Sequence, residues 1–187
     1  GCSLTDSVQI DEPLPFAFSG LQDSVTCNGG SDGSATIQVS GGTQPYQYDW
    51  ANGDTTSTST GLAAGFHFVN VTDSLGCEAA TFVQVFEPSV LVIDSTSSKS
   101  VSCFGGNNGT ATVFAHGGVP PYQYLWSDMQ ITQKALSLVA GSFSVTVTDV
   151  NGCTSVTTVT VSSPAALTTG FVNVAGETCA GDCNGEA

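Results

Sequence analysis

The chain has 187 residues, with two Lys and Arg residues against 16 Asp and Glu residues, which gives a formal net charge of −14 at neutral pH. A surface this acidic repels the phosphates of nucleic acids and the headgroups of anionic membranes, so neither is an expected partner.

The sequence repeats itself with a period of 76 residues. Pro45-Tyr46-Gln47-Tyr48-Asp49-Trp50 returns as Pro121-Tyr122-Gln123-Tyr124-Leu125-Trp126, and the cysteines recur at the same spacing. A fixed period of this kind is typical of an array of structural units. We therefore divide the chain into a fragment of a preceding repeat (1–13), two complete repeats (14–88 and 89–164) and a fragment of a following repeat (165–187).

In chain order, the first repeat begins with a turn-forming cluster at 27–33, followed by alternating apolar residues that predict a strand over 34–40. The aromatic strand 45–50 comes next, and Asn52-Gly53 predicts a hairpin to a strand at 55–60. Further strands are expected at 66–73 and 79–86, and the first strand of the second repeat begins near residue 90. No segment has helical periodicity.

Three aromatic residues of the first repeat, Tyr46, Tyr48 and Trp50, alternate along the chain and so share one face of a strand. They could form a platform on which sugar rings stack. Since all three recur unchanged in the second repeat, a role in the core is the favoured interpretation.

About seven short strands with turn signals every 8 to 12 residues predict an all-β fold: tandem immunoglobulin-like β-sandwiches. The valines at 69, 71, 83 and 85 are expected to face inward in the first repeat, as their counterparts do in the second.

The cysteines predict one disulfide in each repeat, Cys27–Cys77 and Cys103–Cys153, each worth on the order of 4 kcal/mol by loop entropy. Counting strand directions places Cys27 and Cys77 at the same end of the sandwich, although a bridge between repeats, such as Cys77–Cys103, stays open. Buried thiols and a zinc site are weaker alternatives, and Cys183 has no assigned partner. Disulfides indicate an extracellular location.

The two repeats differ on the outward side of their predicted strands. Phenylalanines at 66, 68, 82 and 86 replace the Ser and Thr residues of the second repeat, which in turn carries Phe114 and Leu125 at outward positions. Exposed phenylalanines mark a contact surface with the next repeat or with another copy of the chain. The alternative is that cross-strand Phe pairs simply cover a partly solvated sheet.

Residues suited to catalysis are sparse. His67 and His116 are not equivalent positions, and no nucleophile motif is present, so we expect no enzyme activity and no catalytic residue. Asp32, Asp73 and Asp149 lie near Gly-rich turns and are weak candidates for calcium ligands. Turn capping by their own side chains is the favoured interpretation, so no cofactor is expected.

Taken together, the opening at Cys27, the G-G-x-x-P-Y-Q-Y-x-W centre, the L-x-A-G turn and the V-x-V-T-D-x-x-G-C close at Cys77 resemble the SprB repeat. The resemblance covers essentially the whole chain. It implies a gliding-motility adhesin of Bacteroidota, exported by type IX secretion and attached at the outer membrane, and it implies no catalytic residues.

Two functions are consistent with the sequence. The first is a stiff spacer within a large adhesin, whose partners are neighbouring repeats, other copies in a fibre and, through the parent protein, the secretion and gliding machinery. The second is a module that binds surface polysaccharide, with or without calcium.

Overall fold

The computed structural model describes residues 12–168, which form two compact units with their boundary between Pro88 and Ser89. Apart from their innermost residues, the predicted fragments 1–13 and 165–187 lie outside the described residues, as do Cys2, Cys179 and Cys183. Within residues 12–168 every regular element is a β-strand, and no helix is long and apolar enough to cross a membrane.

The first unit is a sandwich of two three-stranded antiparallel sheets. Its strands are β1 (Ala17–Asp23), β2 (Gly33–Ser40), β3 (Gln47–Trp50), β4 (Thr58–Leu62), β5 (Gly65–Thr72) and β6 (Glu78–Val85). One sheet has the order β1-β2-β4 and the other β3-β5-β6. In immunoglobulin nomenclature these are strands A-B-E and C-F-G, so the topology is immunoglobulin-like without strand D.

The second unit has the same architecture. Its strands are β7 (Val92–Lys99), β8 (Gly109–His116), β9 (Gln123–Trp126), β10 (Lys134–Leu138), β11 (Gly141–Thr148) and β12 (Thr154–Val161). The sheets have the orders β7-β8-β10 and β9-β11-β12. From β8 to β12 every strand begins and ends 76 residues after its counterpart, whereas β7 is one residue longer than β1 and carries a register irregularity between Ile93 and Ser95.

Inward-facing residues from both sheets form the core of each unit. The expected valines are all buried in both units, together with Ala35 and Ile37 on β2 and Leu62 on β4. Trp50 is 2% exposed, and its indole N–H donates a hydrogen bond to the Thr56 carbonyl at 2.8 Å. A buried Trp on strand C is a hallmark of immunoglobulin folds, so the predicted core role of the aromatic strand is confirmed.

The predicted hairpin between the aromatic strand and the next one is wrong. The turn at Asn52-Gly53 exists, with the Gly53 N–H donating to the Trp50 carbonyl at 2.8 Å, but β3 and β4 belong to different sheets. Residues 51–57 run back beside β2, where the Ile37 N–H donates to the Ser57 carbonyl at 2.9 Å. As a result, β3 and β4 run in the same direction, and each unit has six strands in place of the expected seven.

The predicted bridges Cys27–Cys77 and Cys103–Cys153 are also wrong. Cys27 and Cys153 are disulfide-bonded, but Cys77 carries a free thiol, and neither predicted pair is formed. Cys77 lies at the start of β6, whereas the loop containing Cys27 lies at its end, where the Val25 N–H donates to the Phe86 carbonyl at 3.0 Å. Eight residues of strand, about 26 Å, separate the two positions. The count of strand directions placed the two cysteines at the same end because it assumed that β3 and β4 are antiparallel. In the structure these two strands run in the same direction.

The chain enters and leaves each unit at opposite ends. In the first unit the Gly42 N–H, just after β2, donates to the Leu14 carbonyl at 2.7 Å. At the other end, before β2, the Asn28 side-chain amide donates to the Pro88 carbonyl at 3.0 Å. The second unit shows the same arrangement, with Gly118 bonded to Ser89 at entry and Val101 to Ser162 at exit.

Candidate functional site

The outward side of the β3-β5-β6 sheet, hereafter the outer face, carries the main candidate surface of the first unit. The strand register arranges side chains in rows across the sheet: Phe68 lies opposite Phe82, and Asn70 lies between Asp49 and Ala80. Ala51 extends the Phe68 row, because its N–H donates to the Phe68 carbonyl at 3.1 Å.

Four phenylalanines make the upper part of the outer face apolar. Phe66, Phe68, Phe82 and Phe86 are 58%, 59%, 54% and 50% exposed, as expected for outward positions. The ring of Phe82 contacts Phe66 edge-on with centroids 5.4 Å apart, and it contacts Phe68 at 5.8 Å in a tilted arrangement. These contacts hold the rings of Phe66, Phe68 and Phe82 in place, while about half of each residue stays accessible.

A shallow groove of about 200 Å³ lies directly below Phe68 on the outer face. It is lined by Asp49, Trp50, Ala51, Phe68, Val69, Asn70 and Ala80. The Asp49 and Asn70 side chains make no hydrogen bond to any residue in the described part of the chain. The groove therefore combines an aromatic ring with a carboxylate and an amide that are available to a ligand.

The second unit carries different side chains at the equivalent positions. There Leu125 replaces Asp49, Ser144 replaces Phe68, and Thr146 and Val156 replace Asn70 and Ala80. Leu125 is 51% exposed, and Phe114, on the other sheet of this unit, is 45% exposed. The two outer faces thus share a backbone but differ in chemistry.

The buried aspartates Asp73 and Asp149 cap the turn that follows β5 or β11. The Asp73 carboxylate accepts hydrogen bonds from the backbone N–H groups of Leu75 and Cys77, both at 2.9 Å, and from that of Thr43 at 3.0 Å. Burial raises the pKa of Asp73, but these backbone donors outweigh it and hold the pKa below its usual value.

Asp149 repeats this arrangement in the second unit, with donors from Asn151, Cys153 and Val119 at 2.9 Å. Its pKa is raised by burial and lowered by the same backbone bonds, with a net decrease. Because Thr43 and Val119 precede strands β3 and β9, each aspartate also ties two loops together at one end of its sandwich.

The remaining calcium candidate, Asp32, also bonds within its own loop. Its carboxylate accepts hydrogen bonds from the backbone N–H of Thr26 at 2.9 Å and from the Thr26 hydroxyl. These bonds hold the pKa of Asp32 below its usual value. Among residues 12–168 no group of three or more His, Cys, Asp or Glu side chains is arranged to hold a metal ion.

The histidines have structural partners. The His67 ring nitrogen Nε2 is hydrogen-bonded to the Ala63 carbonyl at 2.8 Å. His116 is largely exposed and lies 2.5 Å from the Asp94 carboxylate on the neighbouring strand, a pair that sequence reasoning missed because the register of β7 on β8 was unknown.

The groove was also missed from the sequence. Its residues come from three strands, and only the register brings Asp49, Phe68 and Ala80 together. The sequence held one signal for a site here: the two repeats differ at these outward positions, with Leu125 in place of Asp49 and Ser144 in place of Phe68. By contrast, the alternative sugar platform at Trp50 is wrong, because that ring is buried.

One protein-family model matches two regions of the chain. The model of the SprB repeat matches residues 21–55 and again residues 95–130, which confirms the resemblance. Each match runs from the end of the first strand of a unit, through the second and third strands, to the turn that follows. No curated protein matches the sequence.

Several solved structures show limited similarity. A C-terminal 282-residue fragment of intimin, in complex with the intimin-binding domain of the translocated intimin receptor, is 15% identical with a TM-score of 0.40; the match covers 81% of this chain and 64% of the fragment. The eight N-terminal Ig domains of Down Syndrome Cell Adhesion Molecule are 14% identical (TM-score 0.37, 82% and 25% coverage). The amphioxus IgVJ-C2 molecule is 15% identical (TM-score 0.31, 64% and 89% coverage).

Proposed function

Because the model of the SprB repeat matches two regions of the chain, we propose that it is a load-bearing spacer segment of a large cell-surface adhesin. The observation that carries this proposal is the entry and exit of the chain at opposite ends of each sandwich. In an array of such units, each repeat adds its own length to the array.

The direction of the terminal strands makes each unit suited to bear tension. Pulling the ends of the first unit apart slides β1 along β2, against seven paired residues from Ala17↔Ser40 to Asp23↔Ser34. It also slides β6 along β5, against eight pairs from Gly65↔Val85 to Thr72↔Glu78. In this geometry the ladder bonds share the load, whereas pulling across a strand pair breaks them one at a time.

The chemistry of the surface supports an extracellular setting. Cys27 and Cys153 are disulfide-bonded, and disulfides persist in oxidising compartments. The strong negative charge keeps a long array soluble. Export by type IX secretion, attachment to the outer membrane and a part in gliding motility are further elements of the proposal, and they rest on the resemblance to SprB repeats. The proposed role requires no catalytic residue and no cofactor.

Single-molecule stretching tests the proposal. With its disulfides reduced and tension applied through its termini, the chain should unfold in two steps of roughly 240 Å each, from about 75 residues at ~3.5 Å less a folded length of about 26 Å. In a second attachment, handles at Ala64 and Phe86 pull both strands of the β5–β6 pair from the same end and should open it at a clearly lower force. Equal forces for the two attachments would contradict a load-bearing design.

A further inference from the structure

We propose that the groove below Phe68 on the first unit is a binding site for a neutral saccharide. Phe68, Asp49 and Asn70 line it, together with the small residues Ala51 and Ala80. This binding role is separate from the spacer function, because the groove side chains face away from the core and take no part in the strand ladders.

The groove offers partners for both the apolar face and the polar rim of a sugar ring. One side of a pyranose is lined by C–H groups and packs on an aromatic ring, while its rim carries hydroxyl groups that both donate and accept hydrogen bonds. Phe68, 59% exposed and held against Phe82, provides the ring. Asp49 provides acceptors, and the Asn70 amide provides donors and an acceptor.

The spacing of the polar groups also fits. Asp49 and Asn70 are directly opposite each other on neighbouring strands, which places their Cα atoms about 5 Å apart. Adjacent hydroxyls of one sugar residue can therefore bond to both side chains at once. The volume of about 200 Å³ is below the ~300 Å³ of pockets that enclose drug-sized ligands, and it suits one sugar residue of a chain that runs across the sheet.

Charge excludes the other common saccharides. Asp49 lies in the groove itself, and the whole chain has two basic residues against 16 acidic ones, so uronic acids and sulfated sugars are repelled. A basic peptide could also pair with Asp49, stack on Phe68 and accept a hydrogen bond from Asn70 through its backbone carbonyls, so an oligolysine peptide is included in the test below. Neutral sugars use all three side chains.

The second unit provides a natural comparison. It keeps the sheet and its register but has Leu125 and Ser144 where the groove has Asp49 and Phe68. We therefore expect binding by the first unit alone. In an array, saccharide contacts would come from selected repeats, whereas every repeat contributes length.

The experiment is a titration of the isotope-labelled 187-residue chain with neutral hexasaccharides (cello-, laminari-, manno- and xylohexaose). Binding is monitored through the NMR chemical shifts of the amide groups. At least one sugar should shift the backbone amides of Ala51, Phe68 and Ala80 and the side-chain amide of Asn70. Phe68→Ser and Asp49→Leu, which introduce the residues of the second unit, should each weaken binding at least tenfold. Since both side chains are exposed, the thermal midpoint should change little.

The matched control is Phe114→Gln, which introduces the first-unit residue into the second unit and should leave the affinity unchanged. Four results would overturn the proposal: no shift with any neutral sugar, shifts that map elsewhere, equal binding by the variants, or tighter binding of an oligolysine peptide at the same amides. Concentration-dependent self-association that Phe68→Ser abolishes would likewise show that the face binds a second copy.

Discussion

Truncation of one leucine on β10 tests whether burial on this strand stabilises the second unit as the structure indicates. Leu138 is 2% exposed in the core, whereas Leu136, two residues earlier on the same strand, is 51% exposed. Leu138→Ala removes three buried carbons, about 2.4 kcal/mol at ~0.8 kcal/mol each, and the residual cavity adds about 1 kcal/mol or more. We expect a loss of about 3–4 kcal/mol, against about 1 kcal/mol or less for Leu136→Ala.

Urea unfolding, monitored by tryptophan fluorescence, measures the loss of stability separately for each unit. The chain has two tryptophans, and Trp50 and Trp126 are each buried in the core of one unit. Leu138→Ala should move the part of the signal that comes from Trp126 to lower urea, while Leu62→Ala should do the same for Trp50. Similar losses for Leu136→Ala and Leu138→Ala would refute the assignment of inward and outward positions on β10.

Three further predictions concern the turns. Gly53 has a φ of 91° and open space where a β-carbon would lie. Gly53→Ala should therefore destabilise the first unit by about 1 kcal/mol through backbone strain alone. Urea unfolding measures this loss, and an unchanged stability would argue against a left-handed backbone at this position. Met129 occupies the same turn of the second unit at a φ of 72°, so Met129→Gly should have the opposite sign, a gain of up to about 1 kcal/mol, and a loss would contradict it. The pKa of Asp149 is lowered in the folded state. The stability that this carboxylate contributes should therefore be complete above its unfolded-state pKa near 3.8 and disappear as the pH falls through its lower folded-state pKa. Thermal melts of Asp149→Asn should show a smaller decrease in the melting temperature with acid than those of the unsubstituted chain.

Much of the fold was predictable because its signals are local. Alternation placed the valines of β5 and β6 in the core, the aromatic strand was recognised as a core strand, and five of the six strands of the first unit were expected near their observed positions. The carboxylate at Asp73 was interpreted as a turn cap, since an Asp before a Gly-Cys turn bonds to nearby N–H groups whatever the rest of the chain does.

The errors arose where the answer depends on which strands pair. Asn52-Gly53 forms a turn in the structure as in the prediction, but a turn alone does not reveal whether the next strand returns to its neighbour or crosses to the other sheet. Because β4 pairs with β2, it runs in the same direction as β3, and every later strand has the opposite direction to the one predicted. The predicted Cys27–Cys77 bridge was wrong for this reason.

By itself, the sequence determined the all-β character, the repeating unit, the core residues and the acidic, extracellular chemistry of this protein, because these follow from composition and from patterns within a few residues. Only the tertiary structure decided the assignment of strands to sheets, the opposite positions of entry and exit, and the meeting of Asp49, Phe68 and Ala80 in one groove. The reason is physical: the register between strands is set by the packing of the whole core, and residues far apart in the chain become neighbours only through it.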